Sequence, residues 1–112
     1  MRSLRACLAA LACSLLAAGC ATVGGVLTSR GESIARAQCS GCHAIGAVGE
    51  SRSPNAPPLR RIGRQYAKTS LAHELEAVSE VGHYAMPPTS LSPDEIDDLV
   101  DYIQHIAAAP TL

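Results

Sequence analysis

The sequence predicts a small all-α domain of about three to four helices whose own side chains make too thin a core. Apolar residues recur at helical spacing, clearest at Ile96, Leu99, Val100, Ile103 and Ala107, and no stretch alternates with a period of two. Helix boundary signals punctuate the second half, with Gly82 as a stop and Ser92-Pro93-Asp94-Glu95 as a start. The 112-residue chain has no Phe, no Trp and only three Tyr, so a unit near the lower size limit for a self-sufficient core needs something large and apolar to fill it.

The elements follow in order. Arg2 and Arg5 precede a run from Ala6 to Ala18 that only Ser14 interrupts, which suits a signal-peptide core and is short for a bilayer span. It ends in Leu16-Ala17-Ala18-Gly19-Cys20, small residues before a cysteine, as in a bacterial lipoprotein box. Cys20 is then lipidated and first in the mature chain; ordinary cleavage near Ala21 is the alternative. Residues 1–19 are read as this signal peptide. Residues 20–30, rich in Gly, Thr and Ser, are read as a flexible tether, and residues 31–109 as the folded domain. Within it a first helix is expected from Gly31 to Gln38 and a helical turn from Leu59 to Gln65. A third helix from Ser70 to Glu80 has Ser70 as cap, Leu71, Leu75 and Val78 as its stripe and Gly82 as its end. The last helix has a Ser92 cap, Pro93 in the first turn and Glu95 at the capping-box position.

The chemistry sits at the end of the first helix, in Cys39-Ser40-Gly41-Cys42-His43. Cys-x-x-Cys-His is the attachment site of a c-type haem. Two thiols add to two vinyl groups of one porphyrin, which requires both on one side of a helical turn, and positions three apart meet that requirement. His43 follows as the proximal ligand to iron. Half a zinc site or a redox-active dithiol are the bland readings; the first lacks two further ligands and the second lacks a βαβ setting. Of five cysteines, Cys7 and Cys13 fall in the leader and Cys20 has its own explanation, so no pair remains for a structural disulfide.

For the sixth position only Met1 and Met86 carry a thioether, and Met1 belongs to the leader. Met86 lies in Gly82-His83-Tyr84-Ala85-Met86-Pro87-Pro88, between two helices, where two prolines stiffen the loop. His83, three residues away, is the alternative ligand; His73 and His105 read as solvated surface residues.

These features resemble a small class I cytochrome c over residues 31–106. Gly31 lies eight residues before Cys39, where that family has a Gly allowing close approach of first and last helices. Leu99 and Tyr102 match the family's Leu-x-x-Tyr on the last helix, and Met86-Pro87 its distal Met-Pro. Pro57-Pro58-Leu59 resembles the segment whose proline carbonyl accepts a hydrogen bond from the proximal His; the resemblance implies Pro57 in that role, with Pro58 as the fallback. Leu59 and Tyr66 are then expected in the haem surroundings, Tyr66 as a donor to a propionate. Ile34-Ala35 departs from the family, which commonly has an aromatic there, and this predicts a looser helix contact.

The functional expectation is a one-electron carrier with one covalent haem c, not an enzyme, because His43 and Met86 leave iron no open position. Expected partners are a redox donor and acceptor, among them a terminal oxidase. No nucleic acid is expected, and the protein is read as a monomer in the periplasm, held to a membrane through Cys20. The alternatives are a haem-based sensor or ligand-binding protein with a labile Met86, and an accessory haem subunit of a larger respiratory complex. After Cys20 the chain has seven basic and ten acidic residues. Five bases and no acid fall between Arg52 and Lys68, and five acids and no base between Asp94 and Asp101. Either these are two solvated faces, or Arg60, Arg61 and Arg64 approach the propionates or steer docking.

Overall fold

The computed structural model describes the backbone of residues 19–110 and the side chains of residues 28–110; the signal-peptide reading of residues 1–19 lies almost wholly outside them. The described residues form four helices: α1 (Gly19–Gln38), α2 (Leu59–Gln65), α3 (Lys68–Val81) and α4 (Pro93–Ala107). Among the described residues there is no strand; His83 and Met86 form an isolated bridge. No helix of the described residues is long and apolar enough to cross a membrane.

α4 is the centre of the fold, packed against each of the other three helices and most extensively against α1. Its start matches the expectation: Glu95 N–H donates to Ser92 Oγ at 3.3 Å, Ser92 N–H donates to the Glu95 carboxylate at 2.8 Å, and Pro93 opens the first turn. Its apolar stripe buries Ile96, Leu99, Val100, Ile103 and Ile106. Gly31, Ala35 and Cys39, four residues apart, form the face of α1 turned to this core. A Cβ at Gly31 would collide with the Asp98 carbonyl oxygen and the Tyr102 Cβ, so only glycine lets the two backbones cross this closely. The looser contact expected at Ile34-Ala35 is not found. Ala35 is 0% exposed and Ile34 packs against the core, because a small residue lets the helices approach where an aromatic would hold them apart.

Two helix starts differ from expectation. The segment expected as a tether is helical, and α1 already runs from Gly19, where the described residues start, rather than from Gly31. Its Gly, Thr and Ser residues are weak helix formers, but extending a formed helix fixes one residue per hydrogen bond and avoids the cost of a new nucleus. Contacts at the old boundary support the continuation: Ser33 Oγ donates to Ser29 O at 2.9 Å, and Arg30 reaches Asp98 Oδ2 on α4 at 3.1 Å. α3 begins at Lys68 rather than Ser70. Its N-cap is Ala67, with no side-chain cap. Lys68 Nζ instead pairs with Asp101 on α4, and Leu71 N–H already bonds to Ala67 O at 2.9 Å. Gly82 ends the helix as expected, at φ 67°, with its N–H on Val78 O.

Candidate haem site

The cysteine motif is a tight turn continuing α1. Cys39 N–H and Ser40 N–H both donate to Ala35 O, at 2.8 and 3.0 Å. Cys42 and His43 N–H both donate to Cys39 O, at 3.2 and 2.9 Å, so the two cysteines lie one turn apart. The chain after the motif is fastened beside it. Ala44 N–H donates to Ser51 Oγ at 2.9 Å, Ser53 N–H to Cys42 O at 3.1 Å, and Leu59 N–H to Ala44 O at 2.9 Å. This folding-back brings Pro57 over His43, whose Nδ1 lies 2.7 Å from the Pro57 carbonyl oxygen. A carbonyl only accepts, so Nδ1 carries the proton and Nε2 carries the lone pair.

An apolar cleft of about 810 Å³, solvent at its mouth included, opens beside this histidine. Cys39, His43, Pro57, Leu59, Tyr66 and Met86 line it, joined by the α3 stripe Leu71, Leu75 and Val78 and by Leu99 and Ile103 of α4. A smaller cleft adjoins, lined by Cys42 and, again, by His43, His83 and Met86. The shared residues make the two one slot, with Cys39 lining one part and Cys42 the other. Met86 closes it from a two-residue turn in which His83 N–H donates to Met86 O at 3.0 Å and Met86 N–H to His83 O at 2.7 Å.

The residues present fit a haem. The slot is lined mainly by hydrocarbon, has Cys39 in one part and Cys42 in the other, and contains two imidazoles, His43 and His83, and one thioether, Met86, so it offers a His/Met pair of iron ligands that suits an electron carrier. Cys39 and Cys42 are both free thiols rather than a disulfide. Cys39 is buried, and burial pushes its thiol up to about 11, as expected for sulfur set against an apolar wall. No group of three or more His, Cys, Asp or Glu side chains suited to a separate metal ion occurs among the described residues.

The remaining sequence expectations divide. Tyr66, 38% exposed at the end of α2, lines the cleft and stands at its rim. His83 reaches the slot as well as Met86. His73 and His105 are exposed and line neither cleft of the slot. The arginines of α2 are not at the slot. Arg60 donates to the carbonyls of Gly46 and Gly49, at 3.4 and 2.8 Å, Arg64 donates to Ala107 O at 3.2 Å, and Arg61 is exposed. Two of the three therefore serve as braces between loops and helices. Nothing in the composition separates that use from a docking patch. Sequence reasoning also missed Gly63, where a Cβ would crowd the side chains of Ala107 and Ile103 and the Ile103 carbonyl, and Ser79, a buried hydroxyl on α3.

Residues 27–103 match the family model described as cytochrome C oxidase, cbb3-type, subunit III. No curated protein matches the chain, and no solved structure does.

Proposed function

The chain belongs to the family described as cytochrome C oxidase, cbb3-type, subunit III, and from that membership we propose that it shuttles single electrons between redox protein partners, with Cys39 and Cys42 as haem thioethers and His43 and Met86 as axial ligands. It is a small mono-haem c-type cytochrome with one covalently bound haem c, a haem-based electron carrier. The haem, when bound, supplies an iron that takes up and releases one electron. The observation that carries the ligand assignment is the shared lining: His43, Met86 and the alternative His83 stand in both parts of the slot that Cys39 and Cys42 line, and the thioether followed by Pro87 favours Met86 over His83.

The protein's own contribution is to hold and to exclude. Pro57 fixes the tautomer and orientation of His43 and raises its basicity as an Nε2 donor. Leu59, Leu71, Leu99 and Ile103, each at most 4% exposed, keep water from one wall. Met86 completes a ligand set that leaves no position for a substrate, which favours electron transfer over catalysis. Tyr66 stands at the cleft rim as the donor we assign to a propionate.

We further propose a periplasmic site, with Cys20 lipidated; the small residues before Cys20 and the basic and apolar leader support this. Cys20 lies within α1, so the link from Cys20 to the packed part of that helix at Gly31 is helical, roughly 16 Å long at 1.5 Å per residue, rather than a slack chain. Such an arm sets a stand-off from the membrane surface. The family description favours one second reading, an accessory haem subunit fixed in a larger respiratory complex.

Two measurements test the proposal. Acid–acetone extraction should leave the haem on the protein, whereas freely extracted haem contradicts the thioethers. Reduced protein, mixed with a membrane terminal oxidase, should be oxidised rapidly at a rate that falls as salt rises. Isolation only as a stoichiometric part of the oxidase favours the subunit reading.

A further inference from the structure

We propose that Ser79 is the positioning residue that fixes the Met86 segment across the slot, an inference that rests on reading Met86 as the axial ligand. A serine on an amphipathic helix ordinarily faces water. Ser79 is 4% exposed, one turn from the end of α3, and both its polar groups are spent outside its own helix. In a continuing helix the Ser79 carbonyl would accept from the N–H of residue 83. That N–H bonds instead to Met86 O at 3.0 Å. The freed carbonyl accepts from two consecutive amides, Thr89 N–H at 3.2 Å and Ser90 N–H at 3.1 Å. The Ser79 hydroxyl oxygen accepts from Leu91 N–H at 2.6 Å, and its own hydrogen is directed at Leu91 O at 3.5 Å. Three successive amides thus converge on one residue. Ser90 adopts φ 54°, a left-handed conformation that bends the chain to allow it.

The consequence falls on Met86. Upstream, the segment is held at Gly82, where a Cβ would collide with the Met86 carbonyl oxygen and crowd Pro87 and Pro88. Downstream, it is held at Ser79 through Thr89, Ser90 and Leu91. The chain from His83 to Pro88 is therefore a short span with both ends on the last turns of α3, and two of its residues are prolines with fixed φ. A thioether on a span fastened at both ends returns to the same place each time it leaves. Loss of the Ser79 hydroxyl leaves the Leu91 amide without its acceptor and loosens the downstream end, which then rests on the two bonds to the Ser79 carbonyl alone.

The test uses ferric holoprotein and imidazole as the probe. In wild type, the weak absorption at the red end that marks thioether sulfur on ferric haem should be present, and imidazole should capture the iron slowly. Ser79→Ala should capture imidazole roughly tenfold faster, the size of effect that the loss of one buried hydrogen bond sets, and should show a weaker red band. Val100→Ala removes core volume at a residue that is 1% exposed and lines neither cleft, and it should capture at close to the wild-type rate. Wild-type capture in Ser79→Ala, or equal acceleration in Val100→Ala, overturns the role of Ser79 alone. Absence of the red band in wild type overturns the Met86 ligand and the proposal with it. Should Ser79→Ala accumulate no holoprotein, hydrogen exchange in wild type decides: the Thr89, Ser90 and Leu91 amides should open at close to the rate at which imidazole captures the iron. Opening much slower than capture, or much faster, overturns the proposal.

Discussion

His43 Nδ1 lies 2.7 Å from the carbonyl oxygen of Pro57, fourteen residues further along the chain. The bond commits one ring nitrogen to the protein and leaves the other free of it, so the chain itself orients the ring we propose as the iron ligand. The acceptor belongs to the backbone and survives any side-chain change, whereas the ring of Pro57 holds that backbone in place. Pro57→Gly should leave the acceptor present but less well placed. With a weaker bond His43 becomes a poorer donor to ferric iron, and the reduction potential should rise. Potentiometry of the two holoproteins measures the shift; an equal or lower potential in the variant contradicts the role of the bond.

Gly31→Ala should be the most damaging single-methyl change in α1. Its Cβ would meet the Asp98 carbonyl oxygen and the Tyr102 Cβ, and neither is the free end of a flexible chain. Overpacking of this kind costs about 1–3 kcal/mol, or very roughly 4–20 °C of melting temperature for a domain of this size. Thermal unfolding followed by circular dichroism measures it, and a melting point equal to wild type would mean that the helices can separate cheaply.

Tyr102 joins the last helix to the loop after the haem motif, through its hydroxyl donating to Ile45 O at 2.6 Å. Tyr102→Phe should cost about 1 kcal/mol at neutral pH. Burial, with the nearby Glu32 carboxylate as a smaller contribution, raises this phenol above its ordinary value of 10.0. The unfolded chain therefore loses that proton first as pH rises, and the stability held by the neutral phenol is complete below about pH 10 and lost above it. Denaturant titrations across that range should show a shallower alkaline decline in the variant; parallel declines would remove Tyr102 from the account.

Much of this was legible in the sequence because the relevant physics is local. The spacing of Cys39, Cys42 and His43 is one turn of chain, and the Ser92–Glu95 box lies within four residues. Met86 stood out by elimination and by its prolines. What the sequence concealed depends on distant partners. Residues 20–30 look like a linker by composition, and α1 runs through them because a helix, once formed, is cheap to extend. The start of α3 is fixed at Lys68 by Asp101, thirty-three residues away, rather than by the expected cap at Ser70. Arg60 and Arg64 read as a charged surface and are tied to loop and helix carbonyls. Ser79 carries no local mark at all; only the return of residues 89–91 gives its hydroxyl an acceptor's role.

Met86→Ala should convert the site from saturated to open. Met86 shares the slot with His83, so the variant also separates the two candidate ligands. The red band of the ferric protein should vanish, and the ferrous form should bind carbon monoxide readily. A variant with the wild-type spectrum would assign the sixth position to His83.

The central claim is a coordinatively saturated, one-electron haem held by His43 and Met86, and an optical redox titration of the full-length holoprotein tests it most directly. The account predicts a single wave with a slope of about 59 mV per decade, the one-electron value, with the red thioether band growing in step with oxidation. Carbon monoxide should leave the native ferrous spectrum unchanged. A wave without the red band, or a ferrous form that binds carbon monoxide tightly in the absence of denaturant, would contradict the claim and move the ligand-sensing reading ahead of electron transfer.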